Sequence, residues 1–273
     1  MTENKKNQGV IGSILSLPND SPKKTILVAF LLCLVCAVLV STAAVALKSK
    51  QIANKELDIK KNILAISGLL PENGDIEAAF EQFEVKVVDL ETGEYADVDP
   101  SSYDQQKAAS DPVQSIKLSA EQDIAKIGRR AKLATIYLLK ENDTIKQVIL
   151  PIHGYGLWST LYGFIAFEGD FNTIQGLQFY SHAETPGLGG EVDNPKWRKQ
   201  WKGKKAFDQN GNLKIEVIRG HVDFKMADAE HKIDGLSGAT LTSRGVSNLV
   251  RYWLGDHGFG PYLTKMRSTL ENE

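Results

Sequence analysis

Asp234-Gly-Leu-Ser-Gly-Ala-Thr-Leu-Thr-Ser243 is a stretch of small and hydroxylated residues, and Arg244-Gly-Val-Ser-Asn-Leu-Val-Arg-Tyr-Trp-Leu254 follows it directly. The second stretch predicts a helix, because its apolar residues recur at the spacing of one helix face: Val246, Leu249, Val250 and Trp253. Thr242 or Ser243 is expected to cap the N-terminus of this helix. Such a loop suits a phosphate, since free backbone N–H groups and the positive end of the helix dipole face it. A plain helix cap is the alternative interpretation.

The composition limits the class of protein. A length of 273 residues allows one substantial domain or two small ones, and a net charge of −2 argues against a general nucleic-acid binder. The two cysteines, Cys33 and Cys36, fall in an apolar stretch near the N-terminus, which leaves no disulfide framework or cysteine-rich metal motif elsewhere. The histidines show no ligand spacing either, so no metal site is expected.

The N-terminal region is typical of a membrane anchor. Residues 1–24 are polar and basic, and residues 25–47 then run for about 23 positions without a charge, enough to cross a hydrocarbon layer about 30 Å thick. A cleaved signal peptide is the alternative, but its apolar part usually spans only about 7–15 residues. Lysines flank the apolar run on both sides, so the positive-inside rule does not decide its orientation.

The remainder of the chain predicts an α+β fold. A helical rhythm continues past the apolar run as far as Leu70, and Pro71-Glu-Asn-Gly74 ends it. Short apolar runs bounded by turn residues then predict strands at 85–90, 133–139, 145–150, 161–167, 173–180 and 213–219. The second and third of these strands are expected to form one hairpin, and the fourth and fifth a second. Because helices and strands are partly segregated, an antiparallel sheet with flanking helices is expected. The predicted organisation has four parts: a tail (1–24), a transmembrane helix (25–47), a juxtamembrane helical and mixed region (48–132) and an α+β domain (133–273).

Two further stretches could line a binding site. Pro151-Ile-His-Gly-Tyr-Gly-Leu-Trp-Ser159 combines glycines, which permit close backbone approach to a planar ligand, with residues that offer an apolar face, Leu157 and Trp158. Burial of the tryptophan in the core is the alternative. Ser181-His-Ala-Glu-Thr-Pro-Gly-Leu-Gly-Gly190 follows a predicted strand and places His182 and Glu184 on the same side. Such a pair could act in acid–base chemistry or shape a pocket.

A basic segment with two tryptophans precedes the last predicted strand. Asn194-Pro-Lys-Trp-Arg-Lys-Gln-Trp-Lys-Gly203 predicts a short helix that starts near its proline. Trp197 and Trp201 are four residues apart, so we expect them to anchor the helix in the core rather than to contact a membrane or a nucleic acid. The chain has no GxGxxG or P-loop motif, and direct binding of NADH or ATP is therefore not expected.

Asp234-Gly-Leu-Ser-Gly-Ala-Thr240 resembles the flavinylation motif of the FMN-binding domain family. In that family a flavin transferase joins FMN through its phosphate to the last threonine of the motif, which is Thr240 here. The order of features agrees with the resemblance over nearly the whole chain: an apolar run, an extracytoplasmic domain, His182-Ala-Glu-Thr-Pro-Gly-Leu-Gly189, and then the motif. Within the family the pattern is most similar to the C subunits of bacterial Na⁺-translocating NADH:quinone oxidoreductases. The G subunits of Rnf electron-transport complexes are the second alternative.

The resemblance implies a covalent FMN held by three segments. Besides Thr240, the expected contacts at the motif and the helix start are Ser237, Gly238, Ala239, Leu241, Thr242 and Ser243. The expected contacts elsewhere are Leu157, Trp158, His182, Glu184, Thr185, Gly187, Leu188 and Gly189. No residue is expected to act as a catalyst, because the cofactor carries the redox chemistry.

The resemblance also implies a role and a location. The chain is expected to relay electrons as a single-pass subunit of the bacterial inner membrane, with its large C-terminal domain on the periplasmic side and no activity of its own. Its partners would be the other membrane and flavoprotein subunits of a sodium-pumping quinone reductase built from six subunits, and a flavin transferase would mature it. Without a flavin, the alternatives are a membrane-anchored sensor or assembly factor. A hydrolase with Ser237 or Ser243 as nucleophile ranks last, because the G-x-S-x-G elbow is missing.

Overall fold

A long helix, α1, runs from Pro22 to Ser67. The computed structural model describes Pro18, residues 21–72 and residues 74–271, so most of the predicted tail (1–24) lies outside the described residues. The helix is long and apolar enough to cross a membrane: its most apolar window has a mean hydropathy of 2.9, and none of that window is buried. The chain divides after Glu56 into two units, of which the first contains α1 up to that residue.

The second unit is built on a five-stranded antiparallel sheet. In spatial order its strands are β1 (Phe83–Asp89), β4 (Leu133–Glu141), β5 (Thr144–Tyr155), β6 (Thr160–Glu168) and β7 (Ile174–Ser181). Two short pairs accompany it: β2 (Ser115–Lys117) with β3 (Arg129–Ala131), and β8 (Glu216–Val217) with β9 (Lys232–Ile233). Asn142 and Asp143 join β4 to β5 with positive φ angles of 50° and 62°, as a two-residue hairpin turn requires. Both predicted hairpins and the α+β class are confirmed.

The described part of the second unit also contains five shorter α-helices: α2 (Ile76–Phe80), α3 (Gln105–Ser110), α4 (Pro195–Arg198), α5 (Thr240–Leu254) and α6 (Gly260–Glu271). The predicted apolar face of α5 is buried at all four positions, and the helix packs on β5. The approach is close, since a Cβ atom at Gly154 would lie 2.5 Å from the Cβ of Leu249. Trp253 Nε1 donates a hydrogen bond to the His153 carbonyl (2.6 Å), which fixes α5 along the strand.

The other face of the sheet carries a smaller apolar cluster. Alternate residues of a strand face opposite sides, so Ile149 and Phe164 point away from α5. They pack with the last turns of α1, where Ile63 and Leu64 are fully buried. This packing explains why α1 continues past its apolar run, as the sequence predicted. The helix ends at Ser67, just before Gly68, which has a φ of 78°.

Two elements of the structure differ from what the sequence predicted. The strand predicted at 213–219 is reduced to β8, because neighbouring backbone groups find other acceptors. The N–H groups of Lys214 and Ile215 both donate to the Ala206 carbonyl, and the Val217 N–H donates to the Ser247 hydroxyl of α5. The tryptophan helix is correct but shorter than predicted, since a 3₁₀ turn (Lys199–Trp201) follows α4. Its two tryptophans are buried as core anchors, as predicted: Trp197 and Trp201.

Candidate functional site

Three segments meet at the N-terminus of α5: the tip of the β5–β6 hairpin (156–159), the segment after β7 (182–189), and the loop before α5 together with the first turn of that helix (234–243). The hairpin tip lies directly against α5. A Cβ atom at Gly245 would come within 2.7 Å of the Tyr155 carbonyl oxygen and 2.9 Å of the Gly156 Cα. Contacts this short leave no room for a Cβ atom, so glycine at this position allows the helix and the tip to approach closely.

Glu184 lies at the centre of the three segments. Its side chain is 5% exposed, and its Oε1 accepts hydrogen bonds from three consecutive backbone N–H groups of the hairpin tip. These come from Leu157 (3.0 Å), Trp158 (2.9 Å) and Ser159 (3.3 Å). Its Oε2 accepts a hydrogen bond from the hydroxyl of Thr242 on α5 (2.7 Å), which is 0% exposed. One carboxylate therefore joins the segment after β7 to both of the others.

The carboxyl group of Glu184 is ionised at neutral pH. Burial alone would raise its pKa, but the hydrogen bonds from the Thr242 hydroxyl and from the backbone N–H groups of residues 158, 157 and 159 outweigh burial and lower the pKa. The buried carboxylate is stable here because every hydrogen bond that it accepts favours its charged form.

His182 does not form an acid–base pair with the Glu184 side chain. Its Nδ1 accepts a hydrogen bond from the Glu184 backbone N–H (3.2 Å), so the ring carries its proton on Nε2, which donates to Asp193 Oδ2 (2.8 Å). The imidazole thus fixes the path of the chain that leaves β7. Ser159 supports the same path, since its hydroxyl oxygen accepts the Ala183 N–H (2.7 Å).

A tight turn follows Glu184 and brings the second segment to the loop before α5. The Thr185 carbonyl accepts the N–H groups of Leu188 (3.1 Å) and Gly190 (2.9 Å), and Gly187 takes a φ of 75°. Leu188 then extends toward the third segment, because a Cβ atom at Gly238 would lie 3.0 Å from its Cδ2. The hydroxyl of Thr185 and the backbone of the turn remain at the surface of the site.

The predicted helix cap is wrong. α5 begins at Thr240 with Ala239 at the N-cap position, and no side chain caps it. Thr242 and Ser243 have other partners: the Thr242 hydroxyl donates to Glu184, and the Ser243 hydroxyl accepts the Leu236 N–H (2.8 Å), which closes the loop before the helix. Because Ser243 is buried in this bond, it does not have the exposure that a hydrolase nucleophile needs.

Asp234 anchors the start of the loop. Its Oδ1 accepts the Val222 N–H (2.7 Å) and its Oδ2 lies 2.9 Å from His221 Nδ1. Its carbonyl accepts Trp197 Nε1 (2.8 Å) and its N–H donates to Gln200 Oε1 (3.1 Å). All these partners lie in the folded domain, so this residue holds the loop against α4 and against the chain at 221–222.

Thr240 is exposed as the first residue of α5. The N–H groups of the first helical turn have no acceptor within the helix, and the positive end of the helix dipole lies at the same place. Arg244, also exposed, follows one turn later, at the i+4 spacing that brings two side chains together on a helix surface. An anion attached to Thr240 would therefore meet uncapped N–H groups and a guanidinium.

Exposed apolar side chains surround this position. Trp158 is 67% exposed and Leu157 is 37% exposed, so the alternative in which the tryptophan fills the core is wrong. Leu188 and Leu241 are exposed as well, one in each of the other two segments. These residues and the hydroxyl of Thr240 fit a ligand with a phosphate at one end and an apolar ring at the other. Within residues 21–72 and 74–271, no group of three or more His, Cys, Asp or Glu side chains could hold a metal ion.

Comparison with known proteins agrees with this geometry. A family model described as the FMN-binding domain matches residues 156–255, which include the hairpin tip, Glu184 and all of α5. The C subunit of the Na(+)-translocating NADH-quinone reductase of Vibrio anguillarum is 51% identical over 250 residues, which cover 91% of this chain and 96% of that protein. The chain belongs to this C-subunit family. The C subunit of the Pseudomonas aeruginosa reductase is 50% identical over 254 residues, which cover 91% of this chain and 97% of that protein.

Solved structures of C subunits share the fold. The crystal structure of NqrC from Shewanella oneidensis has a TM-score of 0.72 and 33% sequence identity, over 79% of this chain and 99% of that chain. The crystal structure of the C subunit from Parabacteroides distasonis has a TM-score of 0.62 and 29% sequence identity, over 80% of this chain and 97% of that chain. The predicted FMN-binding family is thereby confirmed, as is membership of an oxidoreductase complex. Of the two subunit types that the sequence left open, the NqrC type is the one supported.

Sequence reasoning missed three features of the site. The hydrogen-bond partners of Glu184 lie 25 to 58 positions away in the sequence. No local pattern therefore predicts that both of its carboxylate oxygens accept hydrogen bonds within the protein. The contacts of Asp234 with Val222 and Trp197 span 12 and 37 positions, which is also beyond the range of a local pattern. Arg244, by contrast, could have been found, because its spacing from Thr240 is visible in the sequence.

Proposed function

We propose that the chain carries FMN esterified through its phosphate to Thr240 and relays electrons within the Na⁺-translocating NADH-quinone reductase. The observation that carries the proposal is the position of Thr240: an exposed hydroxyl at the uncapped N-terminus of α5, inside a domain that matches the FMN-binding family. A helix N-terminus stabilises an adjacent phosphate through its N–H groups and its dipole. The negative charge of the ester is further balanced by Arg244.

Formation of the ester requires a separate transferase. The bond joins Thr240 Oγ1 to the flavin phosphorus, and the hydroxyl gives up its proton. With a flavin dinucleotide as donor, the pyrophosphate bond breaks and a nucleoside monophosphate leaves. Ser237 and Gly238 form the exposed tip of the loop next to this hydroxyl, which leaves the transferase room to reach it. No residue near Thr240 needs to act as a base, because the transferase supplies the catalysis.

The remaining residues would hold the ring. Leu157 and Trp158 offer apolar surface to the dimethylbenzene end, and Leu188 and Leu241 lie in the two neighbouring segments. Thr185 and the backbone from Gly187 to Gly189 can hydrogen-bond the polar edge. When bound, FMN supplies the electron-transfer chemistry, and the chain supplies position, exclusion of water and fixed charge.

The apolar helix α1 and the family support the proposed location. The apolar part of α1 would anchor the chain in the bacterial inner membrane, with the second unit on the periplasmic side. A covalent link would then retain the cofactor where no cytoplasmic pool of FMN can replace it. The partners would be the other members of an assembly of six subunits. Sodium translocation would be a property of the assembly, since one membrane helix cannot form an ion path.

In-gel flavin fluorescence tests the ester directly. Membranes from cells that co-express a flavin transferase would be separated on a denaturing gel for the natural chain, Thr240→Ala and Ser237→Ala. Because Thr240 and Ser237 are both exposed, neither substitution removes core packing. A fluorescent band near 30.1 kDa is expected for the natural chain and for Ser237→Ala, and a dark one for Thr240→Ala.

Two other outcomes would change the proposal. If all three bands are dark while staining shows the protein, there is no covalent flavin and the electron relay fails. If Thr240→Ala remains fluorescent, the flavin is covalent but another hydroxyl carries it.

A further inference from the structure

The three segments of the site are linked through Glu184, and its neighbours are shaped to accommodate it. A Cβ atom at Gly156 would lie 2.6 Å from Oε1, and one at Gly189 would lie 2.7 Å from Oε2. Both glycines are therefore needed for the carboxylate to reach its partners. The hydroxyl of Thr242 is needed as well, since it is the donor that α5 provides.

Glu184 is turned toward partners within the protein rather than toward a ligand. Its Oε1 already accepts three N–H groups and its Oε2 accepts the Thr242 hydroxyl, while the side chain is almost completely buried. The exposed residues of the site belong to its partners or lie next to them. Two of the N–H groups that Glu184 binds belong to Leu157 and Trp158, which are exposed. Its other partner, Thr242, lies two positions after the exposed Thr240 on the same helix turn.

We propose that Glu184 is a positioning residue, which holds the ring-contacting tip of the β5–β6 hairpin at a fixed place relative to the attachment point at Thr240 without touching FMN itself. This rests on the FMN site proposed above. The physical reason is that a phosphate attached through a flexible ribityl chain does not orient the ring. The orientation must come from the protein, and the tip can impose it only if the tip is rigid with respect to α5.

Two substitutions separate the contacts of Glu184 with the hairpin tip from its contact with α5. Glu184→Ala removes the acceptor of the three N–H groups and the bond to α5 together. Thr242→Val keeps the size of the side chain and removes only the bond to α5. Thr242→Ser retains the hydroxyl and serves as the rescue. Glu191 is the matched control, because it is a carboxylate nearby whose Oε2 accepts a bond from Asn194 but which does not bridge the segments.

The experiment uses the full-length chain in detergent after co-expression with a flavin transferase. Three quantities are measured: covalent flavin by in-gel fluorescence, orientation of the ring by visible circular dichroism and flavin anisotropy, and hydrogen exchange of the peptide that contains residues 157–159. Glu184→Ala and Thr242→Val should both keep the covalent flavin and lose at least half of the visible dichroism. Exchange at 157–159 should rise about ten-fold in Glu184→Ala and stay close to that of the natural chain in Thr242→Val. Thr242→Ser and Glu191→Ala should behave like the natural chain in all three.

The measurements distinguish failure of the positioning role from failure of the proposed FMN site. If loaded Glu184→Ala and Thr242→Val show unchanged dichroism and anisotropy, the positioning role is refuted while the FMN site stands. If either variant keeps its folded exchange pattern but carries no covalent flavin, the residue acts in loading and the positioning role is again refuted. If Glu184→Ala does not fold, the Thr242→Val and Thr242→Ser pair decides the same question. If the natural chain itself is not flavinylated, the proposed function fails, and the positioning role, which rests on it, fails with it.

Discussion

His153→Phe is expected to make the protein less sensitive to acid. His153 lies largely buried on β5, with its ring stacked on Tyr162 (centroids 5.5 Å apart, planes at 20°) and tilted against Trp253 (4.9 Å). Burial lowers the pKa of its imidazole from 6.5 to about 4, because the charged form loses its hydration. Phenylalanine keeps the stacked ring but cannot take up a proton.

The size of the effect follows from the two pKa values. Between pH 6.5 and pH 4 the unfolded chain binds a proton that the folded chain does not, so the free energy of unfolding falls as the pH falls. The contribution is fully present above pH 6.5. Relative to neutral pH, the loss is about 2 kcal/mol at pH 5 and about 3 kcal/mol at pH 4. The variant has none of this loss.

Urea unfolding followed by tryptophan fluorescence measures the difference. The natural chain and His153→Phe would be unfolded in detergent at pH 7.5, 6 and 5. The carboxylates of the protein titrate alike in both proteins, so their contribution cancels and the difference reports the imidazole. The gap in unfolding free energy should move by about 2 kcal/mol in favour of the variant between pH 7.5 and pH 5. A gap that is constant over this range would refute the buried, neutral histidine.

Two further substitutions test the architecture of the site. Gly245→Ala should lower the melting temperature although alanine favours helices by about 1 kcal/mol, because its methyl group meets the Tyr155 carbonyl oxygen at 2.7 Å; a higher melting temperature in a thermal scan would contradict the close approach. Asp234→Ala should speed hydrogen exchange at Val222 about ten-fold, since that N–H loses a charged acceptor. Unchanged exchange there would show that Asp234 does not hold the chain at 221–222.

The features that the sequence predicted correctly are governed by local interactions. The amphipathic face of α5 and the β4–β5 hairpin follow from side-chain periodicity and from the turn at Asn142 and Asp143, which depend on residues close in the chain. Burial of Trp197 and Trp201 follows from their i, i+4 spacing in the same way. The FMN-binding family was also readable, because its motif is contiguous from Asp234 to Thr240.

The incorrect expectations share one cause, which is competition from distant partners. Thr242 and Ser243 are good N-cap residues, yet neither caps α5. The Thr242 hydroxyl is bound to a carboxylate 58 positions away, and the Ser243 hydroxyl closes the preceding loop. The strand predicted at 213–219 shrinks to two residues because its N–H groups donate to Ala206 and to α5.

The sequence by itself determined the class of fold, the apolar helix, the family and Thr240 as the expected attachment residue, because each of these depends on composition or on a contiguous pattern. Only the tertiary structure decided that Glu184 joins the hairpin tip to α5 and that Asp234 binds the chain at 221–222. A hydrogen bond depends on distances of a few ångströms, and the pairing of residues far apart in the chain is fixed by the packing of the sheet and α5 rather than by any spacing along the sequence.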